Sequence, residues 1–165
     1  MLYILTTATP RYELHEESCI QFVSKLVKFK DVTWIINIDI PSILNISDEY
    51  LNECISKFKK IKTFKTIIHV NKTNPSFSNA GKYLIQDNFS LFEETDLIFW
   101  LEDDWCLYEN MFNEFLLKYN EFEKSKFYNY LLLTNSSYPS GQPFIFKGII
   151  VNQLYNIYKN NKNID

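Results

Sequence analysis

Residues 97–104 read Leu97-Ile98-Phe99-Trp100-Leu101-Glu102-Asp103-Asp104, five apolar side chains in succession and then three carboxylic acids. An unbroken apolar run of this length is the pattern of a strand covered on both faces, as in parallel sheets flanked by helices. The switch to acids marks its carboxyl end. Similar runs lie on either side of it. Leu2 to Thr6, Thr33 to Ile40, Phe64 to Val70 and Tyr130 to Thr134 read as strands, and Phe144 to Val151 as extended.

Between the strands the apolar period changes from strand-like to helical. Pro10 suits the first position of a helix with Thr9 as its cap, and Ile20, Phe22, Val23, Leu26, Val27 and Phe29 keep helical spacing up to Lys30. Ser47-Asp48-Glu49 opens a second helix, with acids at its positive end and Leu51, Cys54, Ile55, Phe58 and Ile61 on one face. Ser78 is expected to cap a third, running to about Phe89, with Ala80, Tyr83 and Leu84 facing inward. Met111, Phe112, Phe115, Leu116, Tyr119 and Phe122 form the next stripe. Val151, Leu154, Tyr155 and Tyr158 predict a short last helix, with a frayed tail from Asn156. This alternation predicts one α/β domain over 1–165, with a Rossmann-like, mainly parallel sheet and helices on both faces.

Composition narrows the function. The 165 residues are 46% hydrophobic and 22% charged, enough apolar surface for a packed core. The net charge of −3 supplies no basic field for a nucleic-acid backbone or an anionic lipid surface. Cys19, Cys54 and Cys106 are odd in number, with no CxxC pair, so they form neither a zinc knuckle nor a disulfide framework. They suggest a reducing compartment, and a cytoplasmic location is expected. Met1 to Leu5 is too brief and lacks the basic start of a signal peptide. No apolar run approaches the roughly 20 residues that span a bilayer.

In open α/β sheets ligands bind outside the carboxyl ends of the strands. That rule selects Thr6 to Arg11, Asp39, the Asn71 to Asn79 loop, and Glu102-Asp103-Asp104. Three adjacent acids repel one another, and a hard divalent cation relieves the repulsion. Mg²⁺ or Mn²⁺ is commonly held by one or two carboxylates plus phosphate oxygens. Glu102 and Asp104 point the same way while the backbone stays extended. The competing reading is a solvated strand end, with acids near the start of the next helix.

These segments resemble the nucleotide-sugar-binding part of GT-A type glycosyltransferases, in the style of family 2. The resemblance rests on Thr6-Thr7-Ala8-Thr9-Pro10-Arg11-Tyr12-Glu13-Leu14, Ile38-Asp39, Ser78-Asn79-Ala80-Gly81 and Phe99-Trp100-Leu101-Glu102-Asp103-Asp104-Trp105, in that order. It covers roughly residues 1 to 110, leaving 111–165 as a short remainder on the acceptor side. The last segment looks like the family's DxD motif, with Glu102 first and Asp104 third. The resemblance implies a GT-A-like fold and a metal-dependent transfer of sugar from a nucleotide-diphospho-sugar to a glycan or protein acceptor. It implies Asp104 as ligand of the Mn²⁺ or Mg²⁺ that bridges the diphosphate, with Glu102 or Asp103 near the ribose or the ion. It further implies that Thr6, Thr9, Arg11 and Asp39 line the nucleobase and ribose pocket. Asn79 and Gly81 would open the helix that closes over the donor.

The chain departs from that pattern in several places. Ser78 stands where the family has arginine, with Lys82 as a substitute for the missing diphosphate contact. Asp39-Ile40-Pro41-Ser42 lacks the glycine of the usual turn. After Glu123 the only acid is Asp165, so no general base is visible in the second half, and no histidine follows His69. Glu109 and Glu114 read as a solvated helix face. A non-catalytic nucleotide-sugar-binding module, completed by a second chain or domain, is therefore the alternative function. The remaining candidates have plainer explanations: His69 as a core histidine, His15 as a surface residue, Cys106 as a thiol disfavoured as nucleophile by adjacent acids. Trp105 could stack on a sugar or anchor the core, and Tyr138 with Gly141 to Phe144 could form an acceptor loop or a plain turn.

Overall fold

The computed structural model describes residues 1–11, 19–104, 109–126, 129–132 and 144–160. Six strands form one sheet in the order β3-β2-β1-β4-β6-β5. Strand β1 (Leu2–Ala8) is buried along its whole length and pairs in parallel with β2 (Val32–Asp39) on one side and β4 (Leu97–Glu102) on the other. Strand β3 (Lys65–Asn71) continues the parallel set beyond β2. Past β4 the direction reverses: β6 (Phe144–Lys147) runs antiparallel to β4, and β5 (Tyr130–Leu132) antiparallel to β6.

Side chains alternate between the two faces of the sheet. One face carries Ile4, Trp34, Ile36 and Phe99. It is covered by α1 (Gln21–Ser24, continued by a 3₁₀ turn, Lys25–Lys28), α2 (Asp48–Phe58) and α4 (Glu109–Lys124), through Phe22, Leu26, Leu51, Phe58, Phe115 and Tyr119. The opposite face carries Tyr3, Leu5, Ile35, Ile98 and Trp100. Over it lie α3 (Phe77–Lys82), a π-helical turn (Tyr83–Asp87) that contributes Leu84 and Ile85, and α5 (Gly148–Asn160) with Val151. The chain is thus a single α/β domain with a Rossmann-like, mainly parallel sheet between two helical layers. Among the described residues no helix is long and apolar enough to cross a membrane.

Several boundaries differ from the sequence expectation. Ser76, not Ser78, caps α3, its side chain accepting from the Asn79 backbone N–H at 3.2 Å. Extended backbone after β5 returns only as far as Lys147, and α5 begins at Gly148, before Val151. It continues through Asn160, so Asn156 to Asn160 of the tail expected to fray are helical, with Leu154, Tyr155 and Tyr158 packed against the second core, while 161–165 lie outside the described residues. The start proposed for a helix after Pro10 lies outside the described residues, as do His15, Trp105, Cys106, Tyr138, Gly141 and Asp165. Elsewhere the expected cap holds: Ser47 accepts from Tyr50 N–H at 3.2 Å, with Asp48 and Glu49 in the first turn.

Two glycines mark close approaches. A Cβ at Gly148 would lie 1.8 Å from the Glu93 carbonyl oxygen, part of the backbone. A Cβ at Gly81 would lie 2.8 Å from the Tyr158 hydroxyl, the free end of a side chain that can swing away. Gly148→Ala is therefore expected to lower unfolding free energy by about 3 kcal/mol. Gly81→Ala should cost under about 1 kcal/mol, because helix propensity offsets much of the contact. Urea unfolding of both variants checks the difference, and equal losses would contradict it.

Candidate functional site

Parallel pairing brings the carboxyl ends of β1, β2 and β4 to one rim. There a pocket of about 200 Å³ is lined by Thr7, Ala8, Thr9, Asp39, Glu102, Asp103 and Asp104. The transition from core to rim takes one strand period. Ile67, Ile35, Leu5 and Trp100 lie in register across four strands. Two residues on, the same face carries His69, Asn37, Thr7 and Glu102, a row of polar side chains in place of apolar ones.

Asp39 stands at the end of β2, half-buried. Its Oδ1 accepts from Asn37 Nδ2 at 3.0 Å and from Asn71 Nδ2 at 2.9 Å. Burial pushes the Asp39 carboxyl above the usual carboxylate range, while the two amides, and the nearby His69 imidazole less strongly, pull it back. Asn37 is wholly buried, and its Oδ1 has no hydrogen-bond partner. An unsatisfied buried acceptor of this kind costs about 1–3 kcal/mol. Asn71 also organises the following loop. Its Oδ1 accepts from the backbone N–H groups of Thr73 and Asn74, and Nδ2 reaches the Asn74 carbonyl at 3.1 Å.

The three acids after β4 have separate environments. Asp103 is buried and Asp104 exposed, with Glu102 between them in exposure. Asp103 ties the end of β4 to the end of β1. Its Oδ1 pairs with Arg11 at 2.8 Å, its Oδ2 accepts from Thr9 N–H at 2.9 Å, and its own N–H donates to the Thr7 carbonyl at 3.1 Å. Its carboxylate is thereby engaged inside the protein. Cys19, also buried, has its thiol pushed up by burial and then by the Asp103 charge, which keeps it protonated and unreactive.

The sequence-predicted residues divide accordingly. Thr9, Asp39, Glu102, Asp103 and Asp104 meet at the pocket. Thr6 does not: it points to the other face, is fully buried, and accepts from Trp34 Nε1 at 2.9 Å, so its place on a nucleotide pocket is corrected. Arg11 is held by Asp103 rather than turned to the pocket. Asn79 donates from Nδ2 to the Asn74 carbonyl at 3.0 Å, and Lys82 is exposed in the last turn of α3; neither lines the pocket. His69 is half-buried and stacks on Tyr83 at 3.8 Å between ring centroids, close to its expected role as a packed histidine. Asn37 was not foreseen, and Asn71 was foreseen only as the start of the loop after β3, not as a partner of Asp39. Their signal was available in Asn37, a lone amide inside the apolar run Thr33 to Ile38, two residues from Asp39 and so on its face.

Asp39, Glu102 and Asp104 offer only oxygen ligands to this pocket, the donor type that hard divalent cations prefer. Among the described residues no three His, Cys, Asp or Glu side chains converge closely enough to hold an ion alone. The donor type of these carboxylates suits a hard cation, and any such ion would need further oxygens from outside the described residues. The sequence matches no protein-family model and no curated protein.

Removing Arg11 would take a charge-assisted partner from the buried Asp103 carboxylate, so Arg11→Ala is expected to cost about 1–2 kcal/mol. Chemical denaturation measures it. An unchanged midpoint would mean that the guanidinium is spare and open to a ligand.

Proposed function

We propose that this chain binds a nucleotide-diphospho-sugar at the rim pocket and, with Mn²⁺ or Mg²⁺, transfers the sugar to an acceptor hydroxyl. The observation that carries the reading is the convergence of Asp39, Glu102 and Asp104, from strand ends far apart in sequence, on one pocket. It is the arrangement that the resemblance to GT-A type glycosyltransferases implies. Asp39 and Thr9 bind the nucleoside portion, the carboxylate accepting from ribose hydroxyls or a base N–H. Asp104, with Glu102, holds the cation. The cation supplies charge neutralisation for the departing diphosphate. Asp103 acts inside the protein, fixing the turn that carries both of its neighbours.

A second reading is supported by the lack of any acid between Glu123 and Asp165. Transfer with inversion needs a base to take the acceptor's proton. A chain without one would bind the donor and leave transfer to a partner chain or domain.

Calorimetry with UDP, GDP and their sugars, with and without Mn²⁺, tests both. Metal-dependent binding is expected, weakened about 10–100-fold by Asp104→Ala, the loss typical of a charged contact. No metal-dependent binding of any nucleotide would overturn both readings. Donor binding with no sugar release or transfer, and no effect of Asp104→Ala on any turnover, would favour the binding module.

A further inference from the structure

We infer that Asn37 and Asn71 are positioning residues for Asp39: they fix one carboxylate oxygen inside the protein and present the other to the pocket as an acceptor for a neutral hydrogen-bond donor. The inference rests on the nucleotide reading for the identity of the ligand, a ribose hydroxyl or a base N–H. It rests on geometry for the restraint itself.

Both amides donate to the same atom, Asp39 Oδ1, at 3.0 and 2.9 Å. They approach from the same strand and from the neighbouring one, so the carboxylate plane is held from two directions. With both donors on Oδ1, Oδ2 is the oxygen of Asp39 left to serve the pocket that the residue lines. The orientation of Asn37 supplies the independent evidence. Turning its amide over would set an oxygen against the Asp39 carboxylate, so Nδ2 must face Asp39. The consequence is a fully buried Oδ1 with no partner. Asn37 thus serves Asp39 at the expense of its own satisfaction. An apolar side chain of similar shape would suit that buried position better if stability alone mattered.

Asn71 extends the restraint outward. The amide that holds Asp39 also grips the Asn74 carbonyl, which accepts from Asn79 Nδ2 on α3 as well. The pocket acid, the loop after β3 and the first turn of α3 are therefore one hydrogen-bonded unit.

Asn37→Leu separates positioning from structure. The variant is expected to unfold at the wild-type midpoint or higher, since it removes the orphaned oxygen. It should bind UDP or GDP with Mn²⁺, whichever wild type binds, about tenfold more weakly, the effect of one lost charge-assisted hydrogen bond. In an Asp39→Ala background the same change should weaken binding less than about twofold, because the restrained group is gone. Wild-type affinity in Asn37→Leu, or an equal loss in both backgrounds, would overturn the inference. Should Asn37→Leu not fold, Asn71→Leu takes its place in the same cycle. A ligand-free readout keeps the two readings apart. In ¹H–¹⁵N spectra the side-chain amide signals of Asn37 and Asn71 should both move in Asp39→Ala, and unmoved signals would overturn the restraint. If wild type binds neither nucleotide while those signals move, the nucleotide reading fails and the restraint stands.

Discussion

Burial of β1 on both faces is the constraint from which the rest follows. A strand with no water on either side must pair its backbone N–H and C=O groups within the sheet. Leu2 to Ala8 do so with Val32 to Ile38 on one side and, through Thr7, with Leu97 to Glu102 on the other. The registers place the three strand ends side by side, at neighbouring-strand spacing of about 4.8 Å. The rim pocket is a product of that pairing, since Thr9, Asp39 and Asp104 are far apart along the chain and adjacent only because β1 lies between its partners.

Where the pairing ends, Asp103 takes over. Backbone hydrogen bonding between β1 and β4 closes with Asp103 N–H to the Thr7 carbonyl, and its carboxylate then holds Thr9 N–H and Arg11. This also answers the repulsion among three consecutive acids. The middle charge is paired with a guanidinium, which reduces its repulsion on both neighbours, and the turn after Glu102 gives the three side chains different exposures. An acidic run that reads as one feature is two: an internal tie, and the acids flanking it at the pocket.

The fold was legible because both of its signals are strong. Continuous apolar runs such as Leu97 to Leu101 and Leu2 to Leu5 admit few alternatives once helical stripes separate them. Boundaries were less so. Ser76 and Ser78 are equally able to cap, and it is Ser76 whose side chain accepts from Asn79 N–H. The extension of α5 to Asn160 depends on Tyr155 and Tyr158 packing against the second core, which outweighs the indifferent helix propensity of its asparagines. At the site, the acids and Asp39 were readable because topology sends strand ends to one rim. Thr6 and Arg11 were misplaced for a simpler reason. Thr6 is one residue out of phase with Thr7, which puts it on the opposite face with Trp34. Arg11 is engaged by the Asp103 carboxylate at 2.8 Å.

The polar row His69, Asn37, Thr7 and Glu102 separates what the sheet needs from what its rim does. One strand period earlier, the same four strands present Ile67, Ile35, Leu5 and Trp100, a packed apolar layer beneath α3 and α5. Continuing that layer to the rim would remove the orphaned Asn37 oxygen, a saving of about 1–3 kcal/mol. The polar residues are not scattered as substitutions in a tolerant core would be. They occupy one level of the sheet, on the face that carries Asp39, and of the buried side-chain oxygens without a partner among the described residues (Asn37 Oδ1, Thr66 Oγ1 and Gln86 Oε1) the first belongs to the side chain that restrains Asp39. At this level a buried amide serves a pocket carboxylate rather than the packing of the sheet, a local conflict of the kind expected at a binding site.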